Sequence, residues 1–517
     1  MVPPHYFPDR CKEKTALAVR SFSPLQQDYV GRERAKNPLQ RNHWGLHTMR
    51  NATEKLVEFF LNTDYGDIPE PVVRIAKYAI MDGLGQACAA VTTGAGRMLL
   101  HCIPDTREAP CSVIGTGRRA SLMEACWLNA SLAQVLDYDD TYEIASLGVS
   151  HPGPAVVPAA LAVCESEHCG GKELVRAVVL GYEAACRTAD AIEPREYEFW
   201  GFANTQIIGA VTAASILLGL DSGRFVNAIG IAASSSPVPN TNMMWSLTKR
   251  PMSWVKDAVG CAASSGVMSA LMAGQGFCGT RNGLDEVDGY YLLCGSRSYN
   301  EYKLTEALGK RYRLSDLSFK PYPTCRFMQS TLDSVSLIVQ EHDLNEKDIE
   351  TVEVFVTPFL AEAFSVYEPA SMIDAQFSMP YAIAGIIRRI VPSPAWYNEE
   401  HMSDPVTHAA MKKVKLVPDE KIERLRAERS ILSPKVRIRT KGGGVYERQE
   451  YCAKGHPDKP FSREDFTTKF TRCLESAGRR LYVDRAIETI EHLEECEDIS
   501  GLLALFAPQY TSGGEQI

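Results

Sequence analysis

PEPVVRIAKYAIMDGLGQACAA, Pro69 to Ala90, decides what kind of fold this chain can make. Its apolar residues recur with helical spacing from Val72 to Ala90, and Pro71 suits a first turn, where a missing N–H leaves no bond unmade. Just upstream, NATEKLVEFFLN (51–62) sets Leu56, Phe59 and Phe60 on one helical face. Downstream, the same periodicity predicts helices over Ser121–Asp140, Pro154–Glu167, Gly171–Ala191, Asn204–Leu218 and Ser222–Ser234. AIGIAASSS (228–236) and DAVGCAASSGVMSALMAG (257–274) space Ala, Gly and Ser so that helices can approach closely. The region reads as a crowded, nearly all-α bundle.

Near Tyr312 the pattern changes. IETVEVFVTP (349–358) alternates as a strand around Val352, Val354 and Val356. KVRIRTKGGGVYERQEY (435–451) reads as a hairpin turning at Gly442–Gly444, and DAQFSMPYAIAGIIRRI (374–390) as an apolar helix between them. SREDFTTKFTRCLESAG (462–478) returns to helix, with Ser462 as N-cap and Asp465 as the capping-box acid. The expected fold class is therefore a mostly α helical bundle domain plus a smaller α+β domain. The expected boundaries are an extension over 1–48, the first part of the helical domain over 49–310, the α+β domain over 311–455, and returning helices over 456–517.

At 517 residues the chain exceeds one hydrophobic core. A formal net charge of −9 argues against nucleic-acid or anionic-membrane binding. No apolar run reaches membrane-spanning length. Fifteen cysteines, odd in number and without a CxxC pair, fit reduced thiols inside a cell, cytoplasmic or mitochondrial. The first 48 residues mix Arg and Lys with four acids and lack a secretory h-region, so an extension is expected there.

The densest chemistry lies in LDYDDTYEIASLGVSHP, Leu136 to Pro152. Read as a helix end, Asp137, Asp140 and Thr141 fall at i, i+3 and i+4 and share one face. A Gly-containing loop then delivers His151, stiffened by Pro152. Two carboxylates, a hydroxyl and an imidazole are equipment for moving protons on an oxygen-rich substrate. Cys164 and Cys169 bracket ESEH without a third ligand at cluster spacing, and no HExxH, EF-hand, Walker or GxSxG sequence occurs. No cofactor and no metal are expected.

Seven stretches stand out together: AKYAIMDGLGQA (76–87), VIGTGRRASLMEACWLNASLAQVLDYDDTY (113–142), His151-Pro152, VLGYEAACR (179–187), KPYPTCR (320–326), DAQFSMPYAIA (374–384) and KGHPDKPFSREDFTTKF (454–470). In order and spacing they resemble the MmgE/PrpD family, which includes 2-methylcitrate dehydratases and cis-aconitate decarboxylases. The resemblance covers nearly everything after residue 50. It implies a helical domain built from both chain ends, an inserted α+β domain, an active site between them, and a homodimer. Asp137, Thr141 and His151 match family active-site positions, with Asp140 adjacent. SWVKDA resembles the family's Ser/Trp/Lys segment and nominates Lys256 as a catalytic cation. Asp140, Lys249, Arg250, Arg326 and Gln329 are candidate substrate binders, a guanidinium fork suiting a carboxylate.

Two departures stand out. Where the family often has His after Gly-Phe, this chain has Ala203 and Asn204; after the YPxC-like turn it has Phe327 and Met328. The loss of two imidazoles there implies a more apolar pocket. The expectation is a cofactor-independent dehydratase of a 2-methylcitrate or alkylcitrate-type tricarboxylic acid, possessing a small anionic polycarboxylate substrate and serving a specialised biosynthetic route. A cis-aconitate-type decarboxylase and a non-catalytic binding or scaffold protein are the alternatives.

Overall fold

A computed structural model describes residues 51–144, 147–193, 203–236, 250, 252, 258–296, 298–429 and 433–508. The chain divides into two units, Met1–Met49 and Arg50–Ile517, and the second carries all that follows. The expected extension, Lys249 and Lys256 lie outside the described residues.

The first part is helical: α1 (Ala52–Asn62), α2 (Glu70–Ala90), α3 (Leu122–Gln134), α4 (Gly153–Ser166), α5 (Gly171–Ala191), α6 (Ala203–Leu217), α7 (Ser222–Ser234) and α8 (Val259–Gly274). Small residues set its spacing. A Cβ added at Gly181 on α5 would stand 3.0 Å from the Gly209 carbonyl on α6, and one at Gly209 only 2.6 Å from Val156 of α4. Helices α5 and α6 thus cross backbone to backbone, with the Val156 side chain of α4 packed into the crossing, a distance no larger residue allows. At the end of this part Arg187 and Glu183, both fully buried, pair at 2.8 Å. Arg187 also donates to the carbonyls of Glu306 and Arg311, tying α5 to the chain that leads into the second part.

That second part holds α9 (Gln329–Glu341) and α10 (Met379–Ile387) against a four-stranded mixed sheet. Its strands are β4 (Ile349–Val356), β5 (Val414–Pro418), β6 (Lys435–Thr440) and β7 (Val445–Arg448), ordered β5-β4-β6-β7. β4 pairs parallel with β5 and antiparallel with β6. Val352, Val354 and Val356 are all buried, as the alternation predicts. The hairpin turns through Gly443, whose φ of 87° favours glycine. Helix α11 (Arg463–Ser476) starts with the expected reciprocal cap between Ser462 and Asp465, then packs on α2.

Two expectations fail. The apolar stretch over 374–390 is two helices, Met372–Ala375 and α10, because Ser378 caps a new start and Pro380 occupies its first turn. More consequentially, α3 stops at Gln134, six residues before the predicted Asp140. Asp137 sits at φ 49°, left-handed, and Thr141 already begins a strand, β1 (Thr141–Ile144). Asp137, Asp140 and Thr141 therefore share no helical face. β1 is the centre of a small antiparallel sheet between β2 (Leu147–Ser150) and β3 (Leu317–Ser318).

Candidate active site

Donors from distant segments explain why α3 ends early. Past its C-terminus the carbonyls cannot find helical N–H partners, and side chains take their place. Gln376 donates to the Val135 carbonyl (2.8 Å), Lys320 to that of Asp137 (3.0 Å), and Lys469 to that of Tyr138 (2.7 Å). Each side chain is buried, so each bond answers a group that water cannot reach. Lys469 also pairs with Asp82 of α2 at 2.7 Å and lies 4.0 Å over the Tyr138 ring, while Gln86 donates to the other Asp82 oxygen.

β-sheet register puts Lys320 in place. Thr141 pairs with Ser318 and Tyr142 with Leu317, so the same register carried past the strand end sets Lys320 opposite Asp139. Its Nζ is 2.8 Å from Asp137 Oδ1 and 3.4 Å from Asp139 Oδ1. Burial alone pulls Lys320 down, but the Asp137 and Asp139 carboxylates outweigh it and hold the ammonium above the ordinary lysine range. Tyr142, next along β1, donates to Asp190, which also receives Arg313, so the strand is pinned to α5.

His151 completes the cluster. Its Nδ1 is 2.9 Å from the Asp140 carbonyl, 2.8 Å from Asp139 Oδ2 and 3.4 Å from Thr141 Oγ1. The Asp140 carbonyl bonded at that nitrogen, with the Asp139 carboxylate beside it, assigns it the ring proton and leaves the lone pair on Nε2. The main chain of His151 is held as well. Gln206 donates to its carbonyl at 2.7 Å, and Ser150 shares a hydrogen bond with Thr205. The segment that departs from the family's His thus supplies an amide that grips His151 from behind.

Asp140 faces away from this proton-handling arrangement. Tyr182 donates to it at 2.5 Å and the Gly153 amide at 3.0 Å, which makes it the anchor of the α4 N-terminus. A Cβ at Gly153 would stand 2.6 Å from Asp140 Oδ2, so glycine is what admits the carboxylate. Burial pushes the Asp140 carboxyl up to about 7, the Tyr182 hydroxyl pulling against it and Asp139 and Asp82 adding to it. A carboxyl raised in the folded state binds its proton there before the unfolded chain does. Stability from this group is therefore present at acid pH and lost as pH rises towards 7, by about 2–3 kcal/mol between pH 5 and 7. Asp140→Asn is expected to flatten that slope, which urea unfolding at pH 5 and pH 8 measures; an unchanged slope rules the assignment out.

The structure thus brings Asp137, Asp139, Asp140, Thr141, His151 and Lys320 together. Like Asp140, the expected substrate binders Gln329 and Arg250 make other contacts, whereas Arg326 keeps one donor unused among the described residues. Gln329 is fully buried and clamps the turn before it, donating to the carbonyls of Tyr322 and Thr324 and accepting from the Tyr322 amide. Its role is structural. Arg250 pairs with Asp374 and donates to the carbonyls of Ala363 and Phe377, and so links segments. Arg326 pairs with Glu143 of β1 and donates to Ser318, while its Nη1 has no hydrogen-bond partner among the described residues. It lines a cavity of about 30 Å³ with Glu143, Phe327, Ser330 and His456. Met328 is fully buried, and Phe327 packs edge-on against Phe364, so Met328 cannot widen a pocket.

Asp139, Lys320, Lys469, Tyr182 and Gln206 escape the sequence reading. Four of them stand inside quoted motifs: Lys320, Lys469 and Tyr182 in KPYPTCR, KGHPDKPFSREDFTTKF and VLGYEAACR, and Asp139 in the 113–142 stretch. Asp139 was masked by the helical reading, which turned it away from its neighbours. Among the described residues no group of three His, Cys, Asp or Glu is placed to hold a metal ion. No described helix is long and apolar enough to cross a membrane.

A helical part assembled around a loop of acids, backed by lysines from the second part and the returning helix, defines a family as well as a site. Residues 54–302 match the MmgE/PrpD N-terminal domain and residues 322–495 the MmgE/PrpD C-terminal domain. The chain belongs to the MmgE/PrpD family. It is similar to the cis-aconitate decarboxylase-like protein oryM of Aspergillus oryzae, 28% identical over 289 residues, which span 52% of this chain and 58% of that protein. It is 24% identical to the cis-aconitate decarboxylase of Homo sapiens over 486 residues, 88% of this chain and 95% of the relative. The Aspergillus terreus cis-aconitate decarboxylase is 24% identical over 360 residues, 64% of this chain and 71% of that one.

Proposed function

We propose that this chain is a cofactor-independent lyase that removes water from a tricarboxylic acid of the 2-methylcitrate or alkylcitrate type. One observation carries the reading: an imidazole whose Nδ1 is held by Asp139 and the Asp140 carbonyl, on a loop backed by a buried Asp137–Lys320 pair. In this reading His151 Nε2 takes the proton α to a substrate carboxylate, and Asp139 steadies the imidazolium that forms. The same imidazole passes the proton to the tertiary hydroxyl, which leaves as water. One C–H and one C–O bond break, and one C=C bond forms. Thr141, Lys256 and the remaining Arg326 donor hold substrate carboxylates and the developing enolate charge. Homodimer assembly belongs to the proposal, and sedimentation of the purified chain tests it.

Purified protein mixed with 2-methylcitrate and longer alkylcitrates is expected to show rising ultraviolet absorbance from an unsaturated acid. Silence across all chain lengths overturns the dehydratase reading. Similarity to cis-aconitate decarboxylases favours a second one, decarboxylation of cis-aconitate, in which the same carboxylate contacts serve and a proton is delivered to carbon after CO₂ leaves. Release of CO₂ from cis-aconitate, without turnover of alkylcitrates, selects it.

A further inference from the structure

The segment CESEHC, Cys164 to Cys169, ends α4 in a turn that has no part in the site above. His168 takes a left-handed φ of 55°, Cys169 N donates to the Cys164 carbonyl at 2.9 Å, and His168 N to that of Glu165 at 3.3 Å. These are the two bonds of a Schellman helix ending, with Cys164 three residues inside the helix and Cys169 just beyond it. Side chains at those two positions normally touch as an apolar pair; here both are thiols. Cys164 Sγ donates to the Cys169 carbonyl at 3.4 Å and reaches that of Gly170 at 3.7 Å. Cys164 is buried, whereas Cys169 is partly exposed.

An N–H of one cysteine reaching the carbonyl of the other, and the Cys164 sulfur lying 3.4 Å from the Cys169 carbonyl, bring the two residues close enough for a bridge to be argued. We propose that Cys164 and Cys169 are a reversible redox pair, Cys169 attacking a peroxide and Cys164 closing a disulfide with it. The Cys169 thiolate displaces hydroxide from hydrogen peroxide to give a sulfenic acid. The Cys164 sulfur then displaces its oxygen as water, so two thiols are oxidised and one peroxide is reduced to two waters. The shared thiol contact holds Cys169 below the ordinary cysteine range, against burial and the acids Glu173, Glu167 and Asp498, and with burial holds Cys164 above it, so Cys169 is the attacking thiolate and Cys164 keeps its proton until the sulfenic acid has formed. Elsewhere burial pushes the Cys88 and Cys473 thiols up to about 12, where little thiolate forms. The turn also bears on the returning segment: His168 pairs with Asp498, Ile499 N donates to the Cys169 carbonyl, and Gly171 N to that of Cys496.

The test treats the purified full-length chain with stoichiometric hydrogen peroxide, alkylates the remaining thiols, digests, and reads the peptides by mass spectrometry. The peptide holding residues 164–169 is expected to be two hydrogens lighter, to resist alkylation, and to recover both thiols with dithiothreitol. This happens before the exposed Cys102, Cys261 and Cys278 react. In Cys164→Ser the oxidation stops at a Cys169 sulfenic acid that a 1,3-diketone traps, and in Cys169→Ser the bridge is lost. The proposal is overturned if the peptide stays alkylatable while the exposed cysteines oxidise, or if the diketone labels the wild type as readily as Cys164→Ser.

Discussion

Substituting Lys320 by methionine is expected to destabilise the protein by about 3–5 kcal/mol, the loss that follows when one partner of a buried ion pair is deleted. Lys320 is fully buried, and its ammonium is the charge that lies between Asp137 and Asp139. Methionine keeps the length and the apolar stem but leaves two carboxylates facing one another out of water. The Asp137 carbonyl loses its donor as well, so the left-handed turn loses part of what enforces it. Urea unfolding of wild type and variant measures the difference. A triple variant that also carries Asp137→Asn and Asp139→Asn is expected to regain most of the stability and none of the activity. If Lys320→Met unfolds like the wild type, the ammonium is not what holds the acids together.

Asp139→Asn is expected to lower kcat by about 100-fold with little change in KM, since orienting a general base contributes to the barrier and not to substrate binding. Where a carboxylate alone fixes an imidazole's tautomer, the amide substitution costs about 10⁴-fold. The Asp140 carbonyl, 2.9 Å from the same nitrogen, still accepts the proton here, so the loss is smaller. Folding is expected to survive, because Asp137 keeps Lys320 at 2.8 Å. A raised KM at unchanged kcat would move Asp139 from proton handling to substrate contact. His151→Ala, which removes the imidazole itself, sets the floor for the comparison.

Periodicity made most of the architecture legible. Helices α2, α5 and α7 follow from apolar spacing bounded by Pro or Gly, and β4 from strict alternation, because burial on one face leaves a period in the residues. The end of α3 was illegible for a specific reason. Nothing local stops a helix at Gln134, since VLDYDD has neither Gly nor Pro. The stop comes from Gln376, Lys320 and Lys469, which claim the carbonyls from hundreds of residues away. The same cause reordered the site. Asp140 was expected to bind substrate beside Asp137, and left-handed Asp137 turned it instead towards Tyr182 and Gly153. Asp139 took its place beside His151. Side-chain identity pointed to the loop where the acids and His151 gather, and long-range contacts chose which acid meets which partner.

The loop from Val135 to Tyr138 is fastened by residues that arrive late in synthesis, Lys320 and Gln376 after the bundle's first helices and Lys469 later still. A nascent chain halted anywhere before Lys469 carries His151 and every acid of the cluster, yet lacks the clasp that shapes them. Catalytic competence should therefore switch on in a single late step as translation nears its finish, and fragments cut upstream of α11 should regain it only when the missing piece is added back.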